Sequence, residues 1–187
     1  MSALVRYFKS LGIDVLGYDR TSTALTAALQ LEGVTIHFED DPGLFPADID
    51  VVVYTPAIPS SSQLFKYCQT LDVPVLKRSD VLQLISRNSY NICIAGTHGK
   101  TTTTAMVGHL LRDAGYGCNA FLGGISSNYN TNFWSHPNNV CVIEADEYDR
   151  SFLKLSPDII SVSSMDPDHL DIYGTAEAME EAFVLFT

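Results

Sequence analysis

Basic residues are scarce in this chain of 187 residues: 11 Lys and Arg stand against 22 Asp and Glu, for a formal net charge of -11. A chain this acidic lacks the positive footprint that non-specific nucleic-acid binding needs. It also lacks an apolar run approaching the roughly 20 residues that cross a bilayer. Arg6 and Lys9 interrupt the first apolar segment, which excludes a secretory signal peptide. Among four cysteines, Cys68, Cys93, Cys118 and Cys141, there is no Cys-x-x-Cys pair. Three of them lie in apolar, strand-like runs and read as buried, reduced thiols of a cytoplasmic protein. What remains is an ordinary globular composition: 46% hydrophobic residues, sufficient for one large domain or two small ones.

The string Gly96-Thr97-His98-Gly99-Lys100-Thr101-Thr102 carries the chemistry. An apolar run, Ile92-Cys93-Ile94-Ala95, precedes it, and a segment of helical spacing follows (Ala105, Met106, His109, Leu110, Ala114). Strand, glycine loop and helix in this order define a phosphate site. The glycines let several N–H groups turn inward, and the positive end of the helix attracts an anion. Lys100 supplies a point charge for the outer phosphates, and Thr101 a hydroxyl for the magnesium that accompanies them. The general phosphate loop has a glycine where Ile94 stands, so this loop is tighter. The bland alternative is a glycine turn with a chance lysine. Lys100→Ala is expected to weaken nucleotide binding and change the fold little.

Around this loop the pattern predicts helices at 1–11, 23–31, 61–70, 79–87 and 176–186, and strands at 13–18, 34–38, 49–54, 73–76, 118–122, 140–143 and 159–163. Thr21 or Ser22 would cap the second helix, Gly123-Gly124 would be a turn, and 126–139 a polar loop. Alternation of this kind specifies an α/β fold with two parallel-sheet units. The first, residues 1–89, reads as a Rossmann-like domain that lacks its first strand and glycine turn. The second, residues 90–187, reads as the first part of a P-loop ATP-binding domain. Asp19, at the end of a strand, takes the place where such sheets put an acid to receive ribose hydroxyls; capping the next helix is the alternative.

Two acidic runs lie just past strand ends, Glu144-Ala145-Asp146-Glu147-Tyr148-Asp149 and Asp166-Pro167-Asp168-His169-Leu170-Asp171. Open parallel sheets bind ligands there, which brings both runs toward the phosphate loop. Glu144, nearest its strand, is the expected partner of Thr101 on magnesium, and His169 a further metal or phosphate ligand. Asp149 is read as a helix cap or a ligand. His37, His109 and His136 have no acidic company and read as structural.

These three motifs at these distances closely resemble the Mur ligases, and Arg6-Tyr7-Phe8, Gly17-Tyr18-Asp19 and His37-Phe38-Glu39-Asp40 resemble that family's first domain. The resemblance implies ATP and Mg2+ as cofactors and a cytoplasmic enzyme of peptidoglycan precursor synthesis. Its small-molecule substrates would be UDP-N-acetylmuramate, L-alanine and ATP, with no nucleic-acid or membrane partner. In the implied reaction a carboxylate attacks the γ-phosphate, and the resulting acyl phosphate is taken by the amine. On the matching positions Lys100, Glu144 and His169 would be catalytic, and Gly96, Thr97, His98, Gly99, Lys100, Thr101 and Thr102 would hold the nucleotide. Thr101, Glu144 and His169 would hold metal, and Asp19 and His98 would face substrate. Family members extend beyond both ends of this stretch, so the chain is expected to be a fragment that is inactive alone. The competing readings are a ligase that recycles murein peptide, folylpolyglutamate synthase, and a non-catalytic nucleotide-binding module.

Overall fold

Helix and strand alternate along most of the chain, with three successive strands in its second half as an exception. The computed structural model describes residues 1–187, the side chain of Asp149 excepted. The cap expected of Asp149 lies outside the described residues. Two units are formed, Met1–Val81 and Leu82–Thr187.

The first unit contains α1 (Ser2–Ser10), β1 (Leu16–Tyr18), α2 (Ala24–Leu31), β2 (Thr35–His37), β3 (Val52–Tyr54), α3 (Gln63–Cys68) and β4 (Val75–Lys77). β1 pairs with β2 and β3 with β4, in two separate parallel two-stranded sheets. Leu29, Val34 and Ile36 form a core that Val5, Val15 and Phe38 extend. Arg6 is itself buried and makes a forked contact to Glu32, with Nη2 2.6 Å from Oε1 and Nε 2.9 Å from Oε2.

The cap of α2 is Thr23 and not Thr21 or Ser22. Thr23 Oγ1 accepts from Thr26 N at 3.2 Å, while Thr26 Oγ1 accepts from Thr23 N at 2.8 Å. The usual reciprocal partner is Glu or Gln; here a second threonine does the same with a shorter arm. Ser62 caps α3, and Asp40 reinforces it from the acidic loop, accepting from Ser62 Oγ at 2.7 Å and from Gln63 N and Leu64 N at 2.9 Å. These bonds, that from Leu64 N first, hold the Asp40 carboxyl below its ordinary range.

α4 (Arg78–Ser86) leads into the second unit, which contains β5 (Tyr90–Ala95), α5 (Lys100–Asp113), β6 (Asn119–Ser126), β7 (Thr131–Trp134), β8 (Val140–Glu144), β9 (Ile159–Val162), α6 (Leu170–Tyr173) and α7 (Ala176–Phe186). The strands form one sheet in the order β7-β6-β8-β5-β9. β5 lies between β8 and β9, parallel to both, with Ile94 opposite Glu144 and Ala95 opposite Val162. The loop after β5 therefore emerges between the ends of the two strands that lead into the acidic runs.

One edge departs from the parallel expectation. β6 runs through Gly123 and Gly124, and β7 returns antiparallel to it inside the stretch expected to be loop. β7 forms because Phe133 and Trp134 are buried. α5 lies so close to Trp134 that a Cβ on Gly108 would stand 2.6 Å from Trp134 Cζ2. Cys118, Ala120, Leu122, Trp134, Val140 and Val142 make this core, and Phe152 packs with Phe183 and Phe186 in another cluster. Among the described residues no helix is long and apolar enough to cross a membrane.

Two outcomes follow from these contacts. Asp40→Ala removes acceptors from the first turn of α3 and is expected to cost about 1 kcal/mol in denaturant unfolding at neutral pH. Because the folded carboxyl titrates below the unfolded value of 3.8, that cost is complete above 3.8 and vanishes as pH falls through the folded value. All four cysteines are free and buried, and burial pushes the Cys93 thiol to about 12 and Cys118 to about 11. A disulfide reagent at neutral pH should react with the thiols only on unfolding; four fast equivalents in the native protein would contradict this packing.

Candidate nucleotide site

Gly96 ends β5 with φ 123, a conformation open to glycine alone. A Cβ there would lie 2.8 Å from Ser164 N and would strike Ser163 Oγ. This close approach seats the loop on the chain leaving β9. Thr97 N donates to Ser164 O at 3.1 Å, His98 N to Ser164 Oγ at 2.9 Å, and Thr97 Oγ1 to Asp166 O at 2.8 Å. Ser163 Oγ donates to His98 O. Gly99, at φ 80, then turns the chain into α5. No described side chain caps α5, so the N–H groups of Lys100, Thr101 and Thr102 at its positive end are available to an anion.

The structure brings Thr101 and Glu144 together. Thr101 Oγ1 donates to Glu144 Oε1 at 2.9 Å, and Glu144 Oε2 accepts from Gly123 N at 2.7 Å. The two glycines of β6 are what allow this. A Cβ on Gly123 would be 2.7 Å from Glu144 Oε1, and one on Gly124 3.3 Å from Thr101 Cγ2. The pair read from sequence as a turn is instead a gap in a strand, left open for the site.

His169 stands elsewhere. Its Nε2 is 3.8 Å from Glu147 Oε1 and 3.9 Å from Asp168 Oδ2, and its ring meets Tyr148 edge-on at 5.3 Å. Its φ of 51 is a left-handed conformation of the kind concentrated at functional sites. His98 is exposed on the loop. Asp19 is exposed at the end of β1, where its Oδ1 accepts from Thr21 N at 3.0 Å and folds its own turn without capping α2.

Glu147 is the site residue that the sequence reading passed over. Only 1% of its side chain is exposed, and its Oε1 takes the Lys100 ammonium at 2.8 Å. Lys100 Nζ also donates to Gly96 O at 2.6 Å and Thr97 O at 3.3 Å. The lysine expected to project toward ligand is folded back inside its own loop. The sequence shows Glu147 three residues past Glu144 on the same strand exit, but that spacing alone does not set it apart from Asp146 and Asp149.

Magnesium fits this donor set in part. It takes hard oxygen ligands and keeps several waters, so one hydroxyl and one carboxylate suffice, as Thr101 and Glu144 provide. Among the described residues no cluster of three His, Cys, Asp or Glu side chains converges as a dedicated metal cage.

A glycine loop at the crest of a mostly parallel sheet, flanked by carboxylates on the neighbouring strand ends, marks an α/β protein with its candidate site at the carboxyl ends of the strands. Its family is shown by comparison: the Mur ligase family catalytic domain matches residues 1–90 and the Mur ligase middle domain residues 94–187, so this chain belongs to the Mur ligase family. The UDP-N-acetylmuramate--L-alanine ligase of Flavobacterium johnsoniae is 47% identical over 100% of the chain and that of Parabacteroides distasonis 50% identical. The chain spans 42% of the length of each of these curated relatives. The crystal structure of UDP-N-acetylmuramate-alanine ligase from Thermotoga maritima superposes with a TM-score of 0.88 at 30% identity, covering 100% of this chain and 44% of that one. A UDP-N-acetylmuramate:L-alanyl-gamma-D-glutamyl-meso-diaminopimelate ligase from Neisseria meningitides shares the fold, with a TM-score of 0.89 at 23% identity over 100% of this chain and 63% of that one.

Lys100→Ala would leave the Glu147 carboxylate buried and unpaired. The expected loss in unfolding free energy is about 3 kcal/mol, recovered in good part by Lys100→Ala combined with Glu147→Gln. A single variant as stable as the parent would show that the pair does not form. The sequence alone led to the expectation that this substitution changes the fold little; the buried Glu147 partner raises its expected cost.

Proposed function

We propose that this chain holds the ATP site and part of the UDP-sugar site of a ligase that joins L-alanine to UDP-N-acetylmuramate in the cytoplasm. The observation that supports it best is the bond between Thr101, in the first turn of α5 beside Lys100, and Glu144, at the end of β8, in a chain about half identical to relatives that bear that name.

In this reading the N–H groups of Lys100, Thr101 and Thr102 receive the phosphates, and the Lys100 ammonium moves to the γ-phosphate as negative charge shifts there. Phosphoryl transfer asks a protein for positioning and charge neutralisation and little covalent chemistry. Magnesium, when bound, neutralises phosphate charge; Thr101 and Glu144 would hold it, and His169 with its acidic neighbours would hold a second ion. His98 would face the sugar carboxylate from the exposed side of the loop, and Asp19 would receive hydroxyls of the UDP moiety. In this reading the sugar region would end at 89 and the ATP region begin at 90.

A protein of the relatives' full length tests the reaction. ADP release should require both UDP-N-acetylmuramate and L-alanine. Release driven by a tripeptide and not by L-alanine would point to the recycling ligase, and MgATP binding with no release under any acceptor would point to a silent module. Thr101→Ala and Glu144→Gln should each weaken magnesium-dependent nucleotide binding about tenfold or more. Unchanged binding in both would remove them from the cation site.

A further inference from the structure

We infer that Glu147 is a positioning residue that competes with the nucleotide for Lys100, so that the charge pair within the loop sets how tightly ATP is held. The inference rests on the phosphate site proposed above. The Lys100 ammonium has three acceptors, Gly96 O, Thr97 O and Glu147 Oε1, at 2.6, 3.3 and 2.8 Å. It occupies the loop's interior as an internal cation.

Glu147 is fixed in place. Its carbonyl accepts from the buried Tyr173 hydroxyl at 2.7 Å and from Arg150 N at 2.9 Å, so the backbone cannot easily carry the carboxylate away. The side chain is 1% exposed, and its Oε2 has no partner among the described residues. When phosphate draws Lys100 off, Glu147 is left buried without its ammonium partner, with the His169 ring nitrogen Nε2 3.8 Å away. Binding therefore bears the loss of a buried pair. Glu147→Gln keeps an oxygen for the ammonium and removes the charge. It should tighten nucleotide binding, where a carboxylate that merely holds the fold together would loosen it.

The test is a calorimetric titration of MgATP into the full chain as parent, Glu147→Gln, Lys100→Ala and the double variant. Glu147→Gln is expected to bind about tenfold tighter than the parent, and the same substitution in the Lys100→Ala background to change affinity less than about twofold. Equal or weaker binding by Glu147→Gln overturns the inference and leaves the phosphate site standing. A tenfold gain that persists without Lys100 also overturns it, since plain repulsion would then be the cause. Absence of binding by the parent overturns the phosphate-site reading together with this one. Should Lys100→Ala not fold, 15N NMR of the lysine ammonium groups decides. Lys100 Nζ protons should exchange slowly in the nucleotide-free parent and faster in Glu147→Gln, whose uncharged oxygen is the weaker acceptor, and equal rates would refute the pairing.

Discussion

Everything in the second unit depends on the seat of Gly96 against Ser163 and Ser164. β5 can run between β8 and β9 and still release its loop only because the residue at that crossing has no side chain. From this contact the rest follows: the loop amides of Thr97 and His98 are tied to the chain leaving β9, α5 starts with its first N–H groups open, and Lys100 folds inward. The chain that leaves β9 then carries Asp168 and His169, and β8 delivers Glu144 and Glu147. Parallel pairing on both sides of β5 thus places two acidic runs, far apart in sequence, beside one loop.

Much of this was legible without coordinates. The glycine loop between an apolar run and a helical segment located the turn from β5 into α5, and the position of each acidic run past a strand end told where the sheet would bring it. Thr101 and Glu144 were paired from that argument, and the structure joins them at 2.9 Å. The helices of the first unit were found nearly in place because glycines and polar caps punctuate them.

Other features lay beyond local pattern for identifiable reasons. β7 has too little alternation to read as a strand, and it exists because Trp134 fills the space that Gly108 leaves on α5. Gly123-Gly124 looked like a turn because two glycines usually are; only the approach of Glu144 and Thr101 reveals that they are there to give room. Glu147 was one acid among four in its run. Its burial, which makes it the partner of Lys100, is set by Tyr173 and by the packing of residues some 26 positions away. A side chain's depth in the fold is a tertiary property, and a cluster of like residues conceals which of its members is buried.

The most direct measurement is a crystal structure of the chain with Mg2+ and a non-hydrolysable ATP analogue. The account predicts the terminal phosphates on the N–H groups of Lys100 to Thr102, the Lys100 ammonium transferred from Glu147 to phosphate, and the cation between Thr101 Oγ1 and Glu144. Nucleotide bound away from this loop, or bound in it with Lys100 still held by Glu147, would contradict it.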